Sequence, residues 1–162
     1  MHDAKPEKEH EWLQQMVGEW NCEGEAVMAP GQPPVQWKTT ESVRSIGGLW
    51  VVGEGRGQMP EGGDPTTTLM TLGYDPQRKR FVGTFVGSMM TNLWVYDGAL
   101  DPAGKVLTLD TEGPSMTGDG ATQPYQDVID IVSADHRTLI SRSRGPDGTW
   151  QQFMTAHYRR AR

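Results

Sequence analysis

The stretch Gly18-Glu19-Trp20-Asn21-Cys22-Glu23-Gly24-Glu25-Ala26-Val27-Met28 decides how this chain folds. Its residues alternate. Trp20, Cys22, Gly24, Ala26 and Met28 make one face, and Glu19, Glu23, Glu25 and Val27 the other. A period of two marks a β-strand with one buried side, and burial fixes its register because a one-residue slip would turn every apolar group outward. The Trp20 face is therefore expected to point inward. Its small members leave space beside Trp20 and Met28.

Upstream of Gly18 the period changes. Trp12 and Met16 are four apart, as are Leu13 and Val17, which makes an apolar stripe on a helix. Pro6 suits a first helical position, where its missing N–H is not needed. Glu7 and Glu9 suit the positive end of the helix dipole, and Gly18 is a natural stop. The spacing predicts a helix over about 6–17. A helix this short is marginal alone in water, so its stripe must pack on something.

Downstream, strand-like segments follow at about 19–29, 35–46, 49–58, 66–74, 80–88, 92–100, 105–112, 125–133, 137–144 and 149–159. Turn residues separate them. Asp75-Pro76-Gln77-Arg78 and Asp101-Pro102-Ala103-Gly104 carry Pro at the second turn position, which its fixed φ favours. Short connections force neighbours in sequence to pair antiparallel. The one long break, Gly113 to Pro124, reads as a loop at a barrel mouth. So many antiparallel strands leave two open edges unless the sheet closes. The expected fold is all-β: a closed or nearly closed antiparallel barrel of about ten strands, with the helix covering one end, in a single domain over 1–162. A two-sheet sandwich is the alternative.

Composition narrows the function classes. With 15 Lys and Arg against 21 Asp and Glu the net charge is −6, which disfavours a nucleic-acid backbone as partner. No apolar run is long enough for a membrane helix, so no membrane partner is expected. The N-terminal residues lack the apolar core of a secretory leader, and the expected location is the cytoplasm. Cys22 is the only cysteine, with acidic neighbours that oppose a thiolate, so it reads as a core residue. No pair of histidines or cysteines has metal-ligand spacing, and no metal or cofactor is expected. No nucleophile elbow is present. Gly53-Glu54-Gly55-Arg56-Gly57 leads into no helix and reads as a bend in a strand, not a phosphate loop.

The interior is the candidate site. Several strands carry charged or aromatic side chains that would line it if their faces point inward. Glu54 and Arg56 share a face with Trp50 and Val52, Glu41 with Trp37 and Val43, Asp127 with Tyr125 and Ile129, and Trp94 with Tyr96. Leu49-Trp50-Val51-Val52 and Leu93-Trp94-Val95-Tyr96 are apolar on both faces, so the pattern alone does not fix which side is in. Methionines fill adaptable sites. The candidate ligand-binding set is Trp20, Met28, Glu41, Glu54, Arg56, Met89, Trp94, Tyr96 and Asp127.

Helix, then Gly18-x-Trp20, then a meander is similar to the opening of a lipocalin-type (calycin) barrel. The segments Val17-Gly18-Glu19-Trp20, Ile46-Gly47-Gly48-Leu49-Trp50, Leu72-Gly73-Tyr74-Asp75-Pro76, Leu93-Trp94-Val95-Tyr96-Asp97-Gly98 and Tyr125-Gln126-Asp127-Val128 resemble a bacterial family known only as a domain of unknown function. That resemblance spans nearly the whole chain and implies a calycin-like barrel, with no activity to carry over. More distantly the pattern resembles nitrobindin and fatty-acid-binding proteins. Nitrobindin holds haem through a late histidine. Here His157 lies on a largely polar face and reads as a rim or surface residue, so haem binding is a minor alternative.

The expected function is binding of a small, mostly apolar molecule inside the barrel. One alternative is a small hydrolase or isomerase with Glu54 or Asp127 as base, which needs an inward carboxylate with a perturbed pKa. Another is a structural module whose two-faced apolar strands make a homodimer. No motif fixes a reaction, and a binding protein is preferred to an enzyme.

Overall fold

The computed structural model describes residues 4–27, 29, 31–58 and 64–161. One helix, α1 (Lys8–Gln14), precedes ten strands: β1 (Gly18–Ala26), β2 (Val35–Ile46), β3 (Trp50–Gln58), β4 (Pro65–Asp75), β5 (Arg80–Gly87), β6 (Trp94–Leu100), β7 (Val106–Pro114), β8 (Thr122–Ser133), β9 (His136–Arg144) and β10 (Trp150–Arg160). Each strand pairs antiparallel with its sequence neighbours, and β1 pairs with β10, which closes the barrel. Closure gives every strand a neighbour on both sides. This is the all-β barrel the turn spacing predicts, not a sandwich.

The helix is shorter than its periodicity suggests because the chain tightens. Met16 and Val17 donate to the carbonyls of Leu13 and Gln14, three residues back, at 3.1 and 3.0 Å. The helix closes one end of the barrel. Leu13 and Met16 are buried. Trp12 Nε1 donates to Gly104 O in the β6–β7 turn at 2.7 Å. His10 Nδ1 accepts the Glu7 N–H, so Nε2 carries the proton and donates to Tyr74 O at 2.9 Å.

The Gly18-x-Trp20 motif has a concrete role in this closure. Trp20 Nε1 donates to Met16 O at 2.8 Å. The Arg160 guanidinium, from the last strand, stacks 4.2 Å from the Trp20 ring and donates to Val17 O and Gln15 O. Gly18 has φ of 136°, and a β-carbon there would lie 2.4 Å from Arg160 Nη1. Only glycine fits. Helix end, first strand and last strand are thus tied at one point.

The loop expected over Gly113 to Pro124 shrinks to 115–121, because β7 runs on to Pro114 and β8 begins at Thr122. It does sit at the end of the barrel opposite the helix. There Ser143 Oγ donates to Met116 Sδ at 3.6 Å and the Tyr125 hydroxyl donates to Pro114 O.

Candidate functional site

Register fixes which residues face in, since directly opposed residues share a side. Trp20 opposes Glu41, Glu41 opposes Gly55, and Gly55 opposes Thr68. Continuing round the barrel, the inner face takes Met70 and Leu72 on β4, Phe81 and Phe85 on β5, Trp94 and Tyr96 on β6, and Leu109 and Thr111 on β7. It then takes Tyr125, Asp127 and Ile129 on β8, Arg137, Leu139 and Ser141 on β9, and Met154, Ala156 and Tyr158 on β10.

The inner face divides by depth. Toward the helix, Trp20, Cys22, Val51, Leu72, Phe81, Leu107, Leu109 and Ile129 are buried and form a dry core. Toward the open end, Thr39, Met70, Phe85 and Met154 are half-buried. Glu41, Asp127 and Tyr158 also keep some exposure although each is set deep in the wall. The open half of the inner face is therefore the more accessible one, with polar groups at its base.

Two polar clusters stand there. In the first, Arg137 donates to Glu41 Oε1, with the two side chains 6% and 12% exposed. The Arg137 guanidinium is clamped between Tyr158, 4.1 Å away, and Trp20, 4.8 Å away. Its Nε is buried and has no partner, an orphan donor in a low-dielectric setting. Burial, then Glu41, pushes the Tyr158 hydroxyl well above the ordinary phenol range. Gly53 makes room for the Glu41 carboxylate, because a β-carbon there would lie 2.9 Å from Oε2.

In the second cluster Asp127 accepts from the Tyr96 hydroxyl on one oxygen and from Ser141 Oγ, at 2.5 Å, on the other. Burial raises the Asp127 carboxyl above the usual carboxylate range, and the bonds from Ser141 and Tyr96 offset part of that rise. Burial, then Asp127, pushes Tyr96 well above its ordinary value.

Of the sequence candidates, the structure brings Trp20, Glu41, Trp94, Tyr96 and Asp127 to the inner face. Glu54 and Arg56 stand on the outer face, where they pair with each other at 3.4 Å in solvent. The reason is that Gly53, Gly55 and Gly57 take the inner positions of β3, over which side chains of β2 and β4 fold. Met89 lies in the turn after β5, 50% exposed at the rim. Met28 lies outside the described residues. Cys22 is a core thiol, raised in pKa mainly by burial. His157 faces outward beside His136, with Nδ1 and Nε2 3.1 Å apart.

Arg137, Ser141, Tyr158, Phe85 and Thr111 were not singled out by sequence. The one signal available for β3 was the glycine at every second position, which marks a crowded inner wall. The Glu41–Arg137 pair joins residues on strands remote in the chain, and no local pattern announces it.

Among the described residues, no group of three or more His, Cys, Asp or Glu side chains is placed to hold a metal ion. No described helix is long and apolar enough to cross a membrane.

No curated protein matches the chain in sequence. Among solved structures, the chain is similar to the S-type phycobiliprotein lyase CPES from Guillardia theta, with a TM-score of 0.65 and 11% identity over 97% of this chain and 99% of that one. It is also similar to Rv2717c from M. tuberculosis, with a TM-score of 0.59 and 16% identity over 93% and 95% of the two chains. EF1p2_mFAP2b, solved bound to DFHBI, gives 0.51 and 12% over 94% and 99%. At such identities the likeness is one of fold: a calycin-like barrel. The model of a family described as protein of unknown function, DUF1579, matches residues 5–160, and the chain belongs to that family.

Proposed function

We propose that this DUF1579 barrel binds a small, mostly apolar molecule in its open half, with a polar end of that molecule held at the base of the lumen. The observation that carries this reading is the split along single strands. Met70 is half-buried where Leu72, on the same face of β4, is sealed. Thr39, Phe85 and Met154 continue that accessible, largely apolar lining round the barrel. Such a lining with a few convergent polar groups is the usual make-up of a small-molecule site.

The polar end is an acceptor. Arg137 offers an unpartnered Nε–H, and its charge is already balanced by Glu41, so a neutral or weakly charged oxygen suits it. The DFHBI complex of EF1p2_mFAP2b supports the reading, since a barrel of this fold there takes up a small molecule.

Native mass spectrometry of protein purified without denaturation, followed by solvent extraction, tests it. The expected result is a bound species that is absent after Thr68→Phe, which fills the lumen opposite Gly55. A bare protein that also fails to enhance the fluorescence of 8-anilinonaphthalene-1-sulfonate would overturn it.

Asp127 favours a second reading, acid–base chemistry on the bound molecule. It is an inward carboxylate of raised pKa that keeps contact with the lumen. Glu54, exposed and outside, is not part of it. Incubating the extracted molecule with wild type and with Asp127→Asn, and comparing its mass and NMR spectrum before and after, separates the two readings. An unchanged mass and an unchanged NMR spectrum with wild type remove the second.

A further inference from the structure

The barrel wall has a gap. β6 and β7 pair only over Asp97–Leu100 with Leu107–Asp110. Beyond that the strands part: Trp94, Val95 and Tyr96 have no β7 partners, while Thr111–Pro114 pair with β8 alone. A cavity of about 470 Å³ fills the parting. Its lining is mixed in a telling way. Leu93, Val95 and Glu112 come from the outer side, whereas Thr111 and Tyr125 belong to the inner face. The groove is open on the outer side, where the charged Asp110, Glu112 and Arg144 also line it, and it reaches down to two residues of the inner face.

Two further features mark the place. Thr111 is only 8% exposed, and its Oγ1 is buried without a partner. A buried hydroxyl left unpaired is costly, and a group supplied from the gap would satisfy it. The Trp94 indole lies across the parting. It packs edge-on against Tyr125, with ring centroids 5.0 Å apart, and its Nε1 donates to Met90 Sδ at 3.0 Å. Gly113 makes room for it, since a β-carbon there would meet the ring at 2.2 Å. The ring thus bridges β6 to Gly113 of β7 and Tyr125 of β8 on the inner side of the parting.

We infer that the β6–β7 gap is a lateral entrance to the lumen and a second binding subsite, closed by Trp94, for an elongated, mostly apolar molecule that bears a hydrogen-bonding group opposite Thr111 Oγ1. The inference rests on the lumen reading above and adds where the molecule enters and how it lies. Inside, it follows the Phe85 and Met70 side of the lumen. In the gap it lies between Tyr125 and Val95, with its outer end against Leu93 and Trp150.

Stopped-flow fluorescence with 8-anilinonaphthalene-1-sulfonate tests it. Trp94→Ala opens the gate and is expected to raise both association and dissociation rates about ten-fold. Val95→Trp fills the groove from an exposed position and is expected to lower the association rate about ten-fold and to weaken binding, because it occupies the subsite as well as the entrance. Because Val95 is on the surface, this second variant stands even where the first does not fold by circular dichroism. Rates that ignore both substitutions but follow Met116→Ala, at the open end, would overturn the entrance and leave the lumen reading intact. Absence of any fluorescence enhancement with wild type would overturn both.

Discussion

Leu72 and Met70 share the inner face of β4, yet Leu72 is sealed and Met70 is only partly buried. The same contrast runs round the barrel. The half next to α1 is filled by large apolar side chains and tied by Trp20, Arg160 and the helix end. The other half is lined by Gly53, Gly55, Gly57, Thr39 and Thr68, with a few aromatic and Met side chains. Identical backbone geometry thus gives a packed core where side chains are large and a more accessible interior where they are small. On the proposed reading stability belongs to the first half and binding to the second, and substitutions should separate them.

The largest effects are expected in the closed half and at the buried ion pair. Leu107→Ala removes a fully buried side chain and should cost about 2–5 kcal/mol in a denaturant titration. A cost near zero would mean that this half is not packed as a core. Glu41→Ala leaves Arg137 as an unpaired charge, and should cost about 3–5 kcal/mol. The double variant Glu41→Leu/Arg137→Met should recover most of that loss, because the penalty lies in the orphaned charge and not in the missing pair. A double variant as unstable as the single would contradict this account of the cluster.

A smaller effect should come from Asp127, and its sign follows from burial. The folded protein holds the Asp127 proton to higher pH than the unfolded chain does. Its contribution to stability is full below the ordinary carboxylate pKa, near about 4, and is lost as pH rises through the raised folded value. Asp127→Asn should remove that decline, and the two stability curves should diverge in shape on the way from acid to neutral pH. Parallel curves would show that the Tyr96 and Ser141 bonds fully offset burial.

Thr68→Phe, in the open half, should lower affinity for 8-anilinonaphthalene-1-sulfonate about ten-fold while stability stays within about 1 kcal/mol. Loss of both together would merge the two halves into one. Least of all should come from Lys38→Ala. The Lys38–Glu23 pair is 3.7 Å long and exposed on both sides, and its removal should not be resolved by thermal unfolding.

What could be read from the sequence follows the same division. The first strand was legible because its two faces differ in kind: apolar and small against acidic. The turns were legible because Pro, Gly and Asp set backbone angles locally. β3 was not, because Trp50 and Val52 on its outer face are as apolar as Val51 on its inner face. The charges Glu54 and Arg56 looked like an interior feature only while the glycines between them were read as a bend. The two polar clusters escaped for a different reason. Glu41 meets Arg137 only after β1 and β10 have closed the barrel, and Asp127 meets Tyr96 and Ser141 only once β6 to β9 have paired in register. Closure is a property of the whole sheet, and so is the gap between β6 and β7.

The contrast on β4 admits a direct measurement. In a background carrying Cys22→Ser, the thiols of Met70→Cys and Leu72→Cys are each labelled with a small methanethiosulfonate under native conditions. With an open lumen, Met70→Cys should react at least about a hundred-fold faster, since Leu72→Cys must await opening of the core. Equal protection at both positions would mean a plugged barrel and would contradict the container reading.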